Sequence, residues 1–358
     1  MCAASLLSLD TREKLLMASK LADDPRIDPR IKAAFGAMSL STPGDAASRE
    51  AMIAEASGPD AEQRAAFLKS LLDSVDREDI SPSAGLEVRI ETVVCDPDGN
   101  TINLRIVRPQ GAGPLPCVYY IHGGGMASMS CFDGNQRVWA RLIAHEGVTV
   151  VMPDFRNSVT ASSSPEVAPY PAGLNDCVSA LKWTSANAER IGVDPERIVV
   201  SGESGGGNLA LAVGLKLLRE GRSDLIKGLY AFCPYILGKW PDAAAPSSVE
   251  NNGILLDLHN NRGRMGYGIE AFEARDPLAW PSFASEDDVR GLPPTVISVN
   301  ECDPLRDEGI NFYRLLMRAG IPARCHQAMG TIHGTEVFPS TCPDVSRAAA
   351  RDLAAFAR

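Results

Sequence analysis

A chain of 358 residues with 45% hydrophobic and 22% charged side chains holds ample apolar material for a buried sheet, which argues against disorder. Its 35 Lys and Arg against 45 Asp and Glu leave a net charge of −10, which repels phosphate backbones and anionic lipid, disfavours nucleic acid and membrane partners, and favours solubility. The nine cysteines are scattered, odd in number and without a CxxC pair or Cys/His cluster, so they read as free thiols of a reducing compartment and imply no structural zinc.

Between Met1 and Lys20 there is no basic lead or long apolar core, because Asp10, Arg12, Glu13 and Lys14 interrupt the Leu-rich run. Nowhere does an uncharged apolar stretch approach the roughly 18 residues a membrane-spanning helix needs. The expectation is a soluble, cytoplasmic protein. Residues 1–83 carry helical patterning, Lys14 to Leu21 and Ala61 to Val75, broken by Pro25, Pro29, Pro43 and Pro59. Apolar side chains at helical spacing without a domain of their own predict a cap segment that buries them against its neighbour.

From Leu86 the pattern changes. Leu86 to Val94 and Thr101 to Val107 alternate apolar with polar residues around Asp96-Pro97-Asp98-Gly99, which predicts an antiparallel hairpin. Short apolar runs follow at Pro116 to Ile121, Val148 to Met152, Arg197 to Ser201, Gly228 to Phe232 and Thr295 to Val299. Helical patterns lie between them, at Asn135 to Glu146, Ala172 to Arg190, Gly205 to Glu220 and Asp307 to Ala319. A short strand, Ala323 to Ala328, and a helix from Asp344 close the chain. This alternation predicts an α/β domain over residues 84–358, with a mostly parallel central sheet covered by helices on both faces. Residues 238–292, rich in Pro, Gly and Asn, are too long for a plain connection and predict a further cap insertion.

The strongest chemical signal is Gly202-Glu203-Ser204-Gly205-Gly206, set between an apolar strand and an Ala/Leu-rich helix. A sharp strand-to-helix turn there would present the Ser204 hydroxyl at the sheet edge, and it needs glycines where a Cβ would clash. A phosphate-binding loop is the competing reading, but Gly207-Asn208-Leu209 has no lysine to support it. The second signal is His122-Gly123-Gly124-Gly125-Met126, after an earlier strand. Attack on an ester carbonyl places negative charge on oxygen, and the amides of Gly124, Gly125 and Gly205 are the expected donors to it. His122 and Gly123 are expected to support this loop. Taken alone, the run of glycines could equally be an ordinary surface turn.

A serine hydroxyl needs a histidine to take its proton and an acid to orient that histidine. Of the five histidines, His145 ends a helix, His259 sits in the irregular stretch and His326 lies within a strand, whereas His333 follows the last strand in a Gly-rich loop. Asp303 follows the strand Thr295 to Val299 and is the acid candidate, with Glu301 and Asp307 as minor rivals and helix capping as its ordinary alternative role. The order Ser204, Asp303, His333 is the one an α/β-hydrolase sheet imposes.

With these residues in view, the chain resembles the bacterial hormone-sensitive-lipase-like (family IV) esterases, over roughly residues 84–358. The resemblance rests on His122 to Gly125, Gly202 to Gly206, Asp303 to Gly309 and the His333-Gly334 pair. It implies the α/β-hydrolase fold, a Ser204–Asp303–His333 triad, a helical cap, short-chain acyl esters as substrates and no metal or cofactor; homodimers are common among such relatives. Glu203 stands where that family often has Asp, Gly205 where Ala is common, and Thr335 where Phe often follows His-Gly. The expected activity is that of a serine carboxylesterase working through an acyl-enzyme. The same triad would serve an amidase, formamidase or lactonase, and the same fold a non-catalytic ligand-binding module, although such modules usually lack the histidine.

Overall fold

The structure, a computed structural model, describes residues 20–37 and 44–358. Eight strands form one sheet: β1 (Leu86–Val94), β2 (Thr101–Pro109), β3 (Leu115–Ile121), β4 (Thr149–Pro153), β5 (Val193–Glu203), β6 (Gly228–Phe232), β7 (Thr295–Asn300) and β8 (Ala323–Ala328). Their order is β1-β2-β4-β3-β5-β6-β7-β8. The hairpin pairs β1 with β2 antiparallel, β2 joins β4 antiparallel, and every later pairing is parallel.

The parallel strands are continuous apolar runs because both of their faces are covered. Tyr119 and Ile121 point into one layer, with Val200, Leu209 and Leu211, while Val118 and Tyr120 point into the other, with Trp139, Phe232 and Leu353. The longer helices are α1 (Pro29–Phe35), α2 (Arg49–Ala56), α3 (Pro59–Ser74), α4 (Gly134–Ala144), α5 (Ala172–Ala186), α6 (Gly205–Arg219), α7 (Arg306–Arg318) and α8 (Pro343–Ala357), of which α4 to α8 pack on the sheet.

Two details differ from expectation. The helix predicted over Ala172 to Arg190 breaks at Asn187, and a separate short turn, Ala188–Ile191, ends on Gly192 in the left-handed region at φ 67°. In α3 only Leu72 is buried, while Phe67 and Leu68 are 69% and 42% exposed, so this helix does not bury its apolar residues as predicted. It docks by its C-terminal end alone, where Leu72 and Asp73 lie so close to Gly134 that a Cβ there would overlap their backbone. Of the helix expected over Lys14 to Leu21, all but Lys20 and Leu21 falls outside the described residues.

The remaining N-terminal segment packs more closely. Leu21, Ile27, Ile31 and Phe35 join Ile254, Cys302 and Ile332, and Met52 meets Val159 and Met265. The stretch after β6 holds only short helices, among them Ser247–Glu250, Arg262–Tyr267 and Ile269–Glu273. Trp240, Tyr267 and Trp280 anchor it in the main core, with Trp240 stacked on Tyr235 at 4.6 Å. Among the described residues, no helix is long and apolar enough to cross a membrane.

Candidate active site

The C-terminal ends of β3, β5, β6, β7 and β8 lie side by side, and the loops that leave them build the site. At the end of β5 the chain turns straight into α6 through Ser204, whose φ of 57° and ψ of −117° are a strained, left-handed conformation for a residue with a side chain. Three hydrogen bonds hold it there. Ser204 N donates to Phe232 O at 3.0 Å, and Ser204 O accepts from Asn208 N at 3.0 Å and Tyr235 N at 3.1 Å. A Cβ on Gly202 would overlap Gly206, and one on Gly206 would overlap the Ile121 carbonyl, so the glycines of the motif are required by contact with neighbouring backbone.

The glycine loop after β3 lies against this turn. A Cβ on Gly205 would sit 2.6 Å from Met126 N and 2.7 Å from Gly125 N. Gly124, Gly125 and Met126 all have positive φ, and Gly124 O accepts from Ala127 N and Ser128 N. Among the described residues the amides of Gly124, Gly125 and Gly205 donate to no protein acceptor. The amide of Gly123, by contrast, is taken up by Glu203 Oε1 at 2.7 Å.

Glu203, one residue before the serine, therefore ties the two loops together. Its Oε1 also accepts from Gln136 Nε2 at 2.7 Å, and its Oε2 accepts from Tyr120 OH at 2.5 Å. Complete burial pushes its carboxyl above the usual range, against the pull of these donors. His122 stacks on Phe155 at 4.4 Å and sets its Nδ1 2.9 Å from Gly123 O. Its Nε2 faces Asp154 Oδ1 at 3.7 Å. Asp154 in turn accepts from Ser130 Oγ, Cys131 N and Ser163 N. Burial would raise the Asp154 carboxyl, but His122 and these donors outweigh it and hold the group below its ordinary value.

Asp303 and His333 meet directly: His333 Nδ1 lies 2.8 Å from Asp303 Oδ2. Asp303 does not cap the helix that follows, whose N-cap is Leu305 and has no side-chain cap; its Oδ1 accepts from Leu305 N at 2.9 Å, a bond within the loop before the helix. The rival acids are engaged elsewhere. Glu301 accepts from Gly330 N, and Asp307 accepts from Ser247 N and pairs with Arg306. The other histidines are also accounted for, His145 on Pro82 O, His259 on Ser248 O and His326 beside Tyr230 OH. Burial alone would lower the His333 pKa, but the Asp303 carboxylate and the neighbouring Cys233 sulfur outweigh it, and the group stands well above its ordinary value. Ser204 Oγ forms no hydrogen bond with His333 or any other group among the described residues.

Three groups at this place were not singled out from sequence. Glu203 registered only as a departure from a family pattern, and its contacts with Gly123 and Tyr120 span about 80 residues. Cys233, the residue directly after β6, is fully buried at φ 35°, with its amide on Ser298 O at 2.7 Å. The rule that located the other groups, a polar residue just past a strand, would have found it. Glu308 is buried under the insertion, accepting from Ile236 N, Leu237 N and Trp240 Nε1, and burial pushes its carboxyl up to about 8.

Comparison with known proteins identifies the fold and the family. The family described as having an alpha/beta hydrolase fold matches residues 118–337. Carboxylesterase NlhH of Mycobacterium tuberculosis is 34% identical over 278 residues, covering 76% of this chain and 83% of that protein. The solved structure of esterase Est22 superposes with a TM-score of 0.94 at 62% identity, covering 94% of this chain and 98% of that one. Brefeldin A esterase, described as a bacterial homologue of human hormone-sensitive lipase, gives 0.83 at 36% identity, with 94% of both chains covered.

Proposed function

Since the chain belongs to the hormone-sensitive-lipase-like carboxylic ester hydrolases of the α/β-hydrolase family, we propose that it cleaves short-chain acyl esters with Ser204 as nucleophile, His333 as base and Asp303 as the acid that orients the base. The observation that carries this reading is the 2.8 Å contact between Asp303 Oδ2 and His333 Nδ1. It fixes the ring and leaves Nε2 as the nitrogen free to accept a proton. In the substrate complex Nε2 closes on Ser204 Oγ and takes its proton as the oxygen attacks the ester carbonyl. The carbonyl oxygen becomes negative, and the unpartnered amides of Gly124, Gly125 and Gly205 receive it. His333 then protonates the departing alcohol. Water, deprotonated by the same nitrogen, attacks the acyl-Ser204 ester and releases the acid.

In this reading the positive φ of Ser204 and the Glu203 clasp serve the same end, since both keep hydroxyl and amides in fixed relation before substrate arrives. Residues 1–83 and 238–292 act as the cap that shapes the acyl and alcohol pockets over this frame. The Mycobacterium relative and the two solved structures are named for ester hydrolysis, which supports an ester as the small-molecule substrate.

The test is covalent. A fluorophosphonate probe should add once to the intact chain, on the peptide holding Ser204, and Ser204→Ala should lose both the adduct and roughly 10⁶-fold in kcat on a short p-nitrophenyl ester. Retained turnover in Ser204→Ala, or an adduct on another peptide, would overturn the assignment.

A further inference from the structure

We propose that Cys233, His333 and Asp303 form a binding site for a thiophilic divalent cation, of the Zn²⁺ or Cd²⁺ kind, and that its occupancy switches the esterase off. All three side chains are buried, and their ligating sulfur, nitrogen and oxygen atoms lie within 4.8 Å of one another. In a tetrahedral site with bonds of roughly 2.0 to 2.3 Å, neighbouring ligand atoms stand about 3.5 Å apart, so an ion taken by His333 Nδ1 widens its 2.8 Å contact with Asp303 Oδ2, replacing that hydrogen bond, while the wider separations close.

Both the scaffold and the charge favour this. Cys233 is held by its amide on Ser298 O, and Asp303 by Leu305 N on Oδ1 and by Asn251 Nδ2 on its carbonyl, so two of the ligands are oriented by bonds an ion need not break. One thiolate and one carboxylate neutralise a divalent ion, which removes the cost of burying net charge. A sulfur–nitrogen–oxygen donor set selects Zn²⁺ or Cd²⁺ over Mg²⁺ and Ca²⁺, which prefer oxygen alone.

Burial pushes the Cys233 thiol up to about 11, so the free group is protonated at neutral pH. Binding therefore breaks the Cys233 S–H bond and the N–H bond at the coordinating nitrogen of His333, forms a metal–sulfur and a metal–nitrogen bond, and releases both protons to solvent. The ring nitrogen commits its lone pair to the ion, and His333 can no longer turn over a proton. This consequence for activity rests on the role proposed for His333, whereas the binding itself does not.

The experiment titrates Cd²⁺ alone into the full chain in thiol-free buffer. Wild type should show a thiolate-to-cadmium absorption equivalent to one site per chain that Cys233→Ala lacks, with inhibition that EDTA reverses and that Mg²⁺ does not cause. Scaled to each protein's own metal-free rate, the half-inhibiting Cd²⁺ concentration should rise roughly 100-fold in Cys233→Ala. Should that variant not fold, His333→Ala, read by absorption and equilibrium dialysis rather than by turnover, should lose the same tight equivalent. The proposal is overturned if Cys233→Ala is inhibited at the wild-type concentration, or if no absorption depends on Cys233 or His333. Because the absorption needs no turnover, it stands even if Ser204→Ala overturns the serine mechanism.

Discussion

The turn that carries Ser204 and the helix α3 sit at opposite extremes of constraint. At the turn, a single added carbon on Gly202, Gly205 or Gly206 meets fixed backbone, and Glu203 clasps the facing loop through fully buried bonds. In α3, sixteen residues bury one side chain and leave a phenylalanine in solvent. On the proposed reading, the difference separates the frame the chemistry requires from a segment that only covers it. Attack and charge stabilisation tolerate errors of a fraction of an ångström, so their frame is made of backbone locked at strand ends. A covering segment can change shape without moving that frame.

The largest effect that would sharpen this contrast comes from Asp303→Asn, on the constrained side. Asparagine keeps the shape but cannot hold the imidazole in the proton-accepting tautomer or stabilise it when charged, so kcat should fall on the order of 10⁴-fold with the fold intact. The same pair sets opposite pH preferences for activity and stability. The His333 pKa is raised in the folded state, so its charged form stabilises the fold fully below the unfolded value near ~6.5, and that contribution disappears as pH rises through the folded pKa. On the proposed mechanism activity needs the neutral ring and should therefore rise with pH through a midpoint above ~6.5, and Asp303→Asn should move that midpoint down. A midpoint unmoved by the substitution would count against the pairing as its cause. Rate profiles and denaturant unfolding of both proteins across pH measure the two trends.

Next in size is Gly206→Ala. The added methyl would overlap the carbonyl of Ile121 on the neighbouring strand and crowd that of His122, neither of which can rotate away. Overpacking against backbone should cost about 3 kcal/mol or more in urea unfolding, or prevent folding. A variant as stable as wild type would show that the turn has slack and would weaken the claim that backbone contact dictates the motif.

Much of the constrained half was legible in sequence because its signals are local. The strands Gly228–Phe232 and Ala323–Ala328 have the bounds expected of them, and His333 stands out among five histidines only because it follows the last strand in a glycine-rich loop. The contact between Asp303 and His333 follows from two strand ends being neighbours, which topology supplies. Long-range contacts were not legible: nothing near Glu203 announces that it reaches Gly123. The break at Asn187 was hidden because no Pro or Gly marks it. For α3, periodicity defined an apolar face but could not say whether anything would come to cover it.

That last failure gives the smallest predicted effect and the sharpest test of the loosely held side. Phe67 is 69% exposed, so replacing it removes little area that folding takes out of water. Phe67→Ser should change unfolding free energy by no more than about 0.5 kcal/mol and leave kcat unchanged, because neither the turn at Ser204 nor the Asp303–His333 pair is touched. Helix propensity contributes almost nothing, Ser and Phe being close on that scale. A loss of 2 kcal/mol or more would mean that the ring is covered in solution by something outside these contacts. Concentration dependence would then tell which: a loss that shrinks on dilution of the wild type places a second copy of the chain on α3, while one that does not places the rest of the same chain there. In either case α3 would no longer be the unconstrained member of the pair.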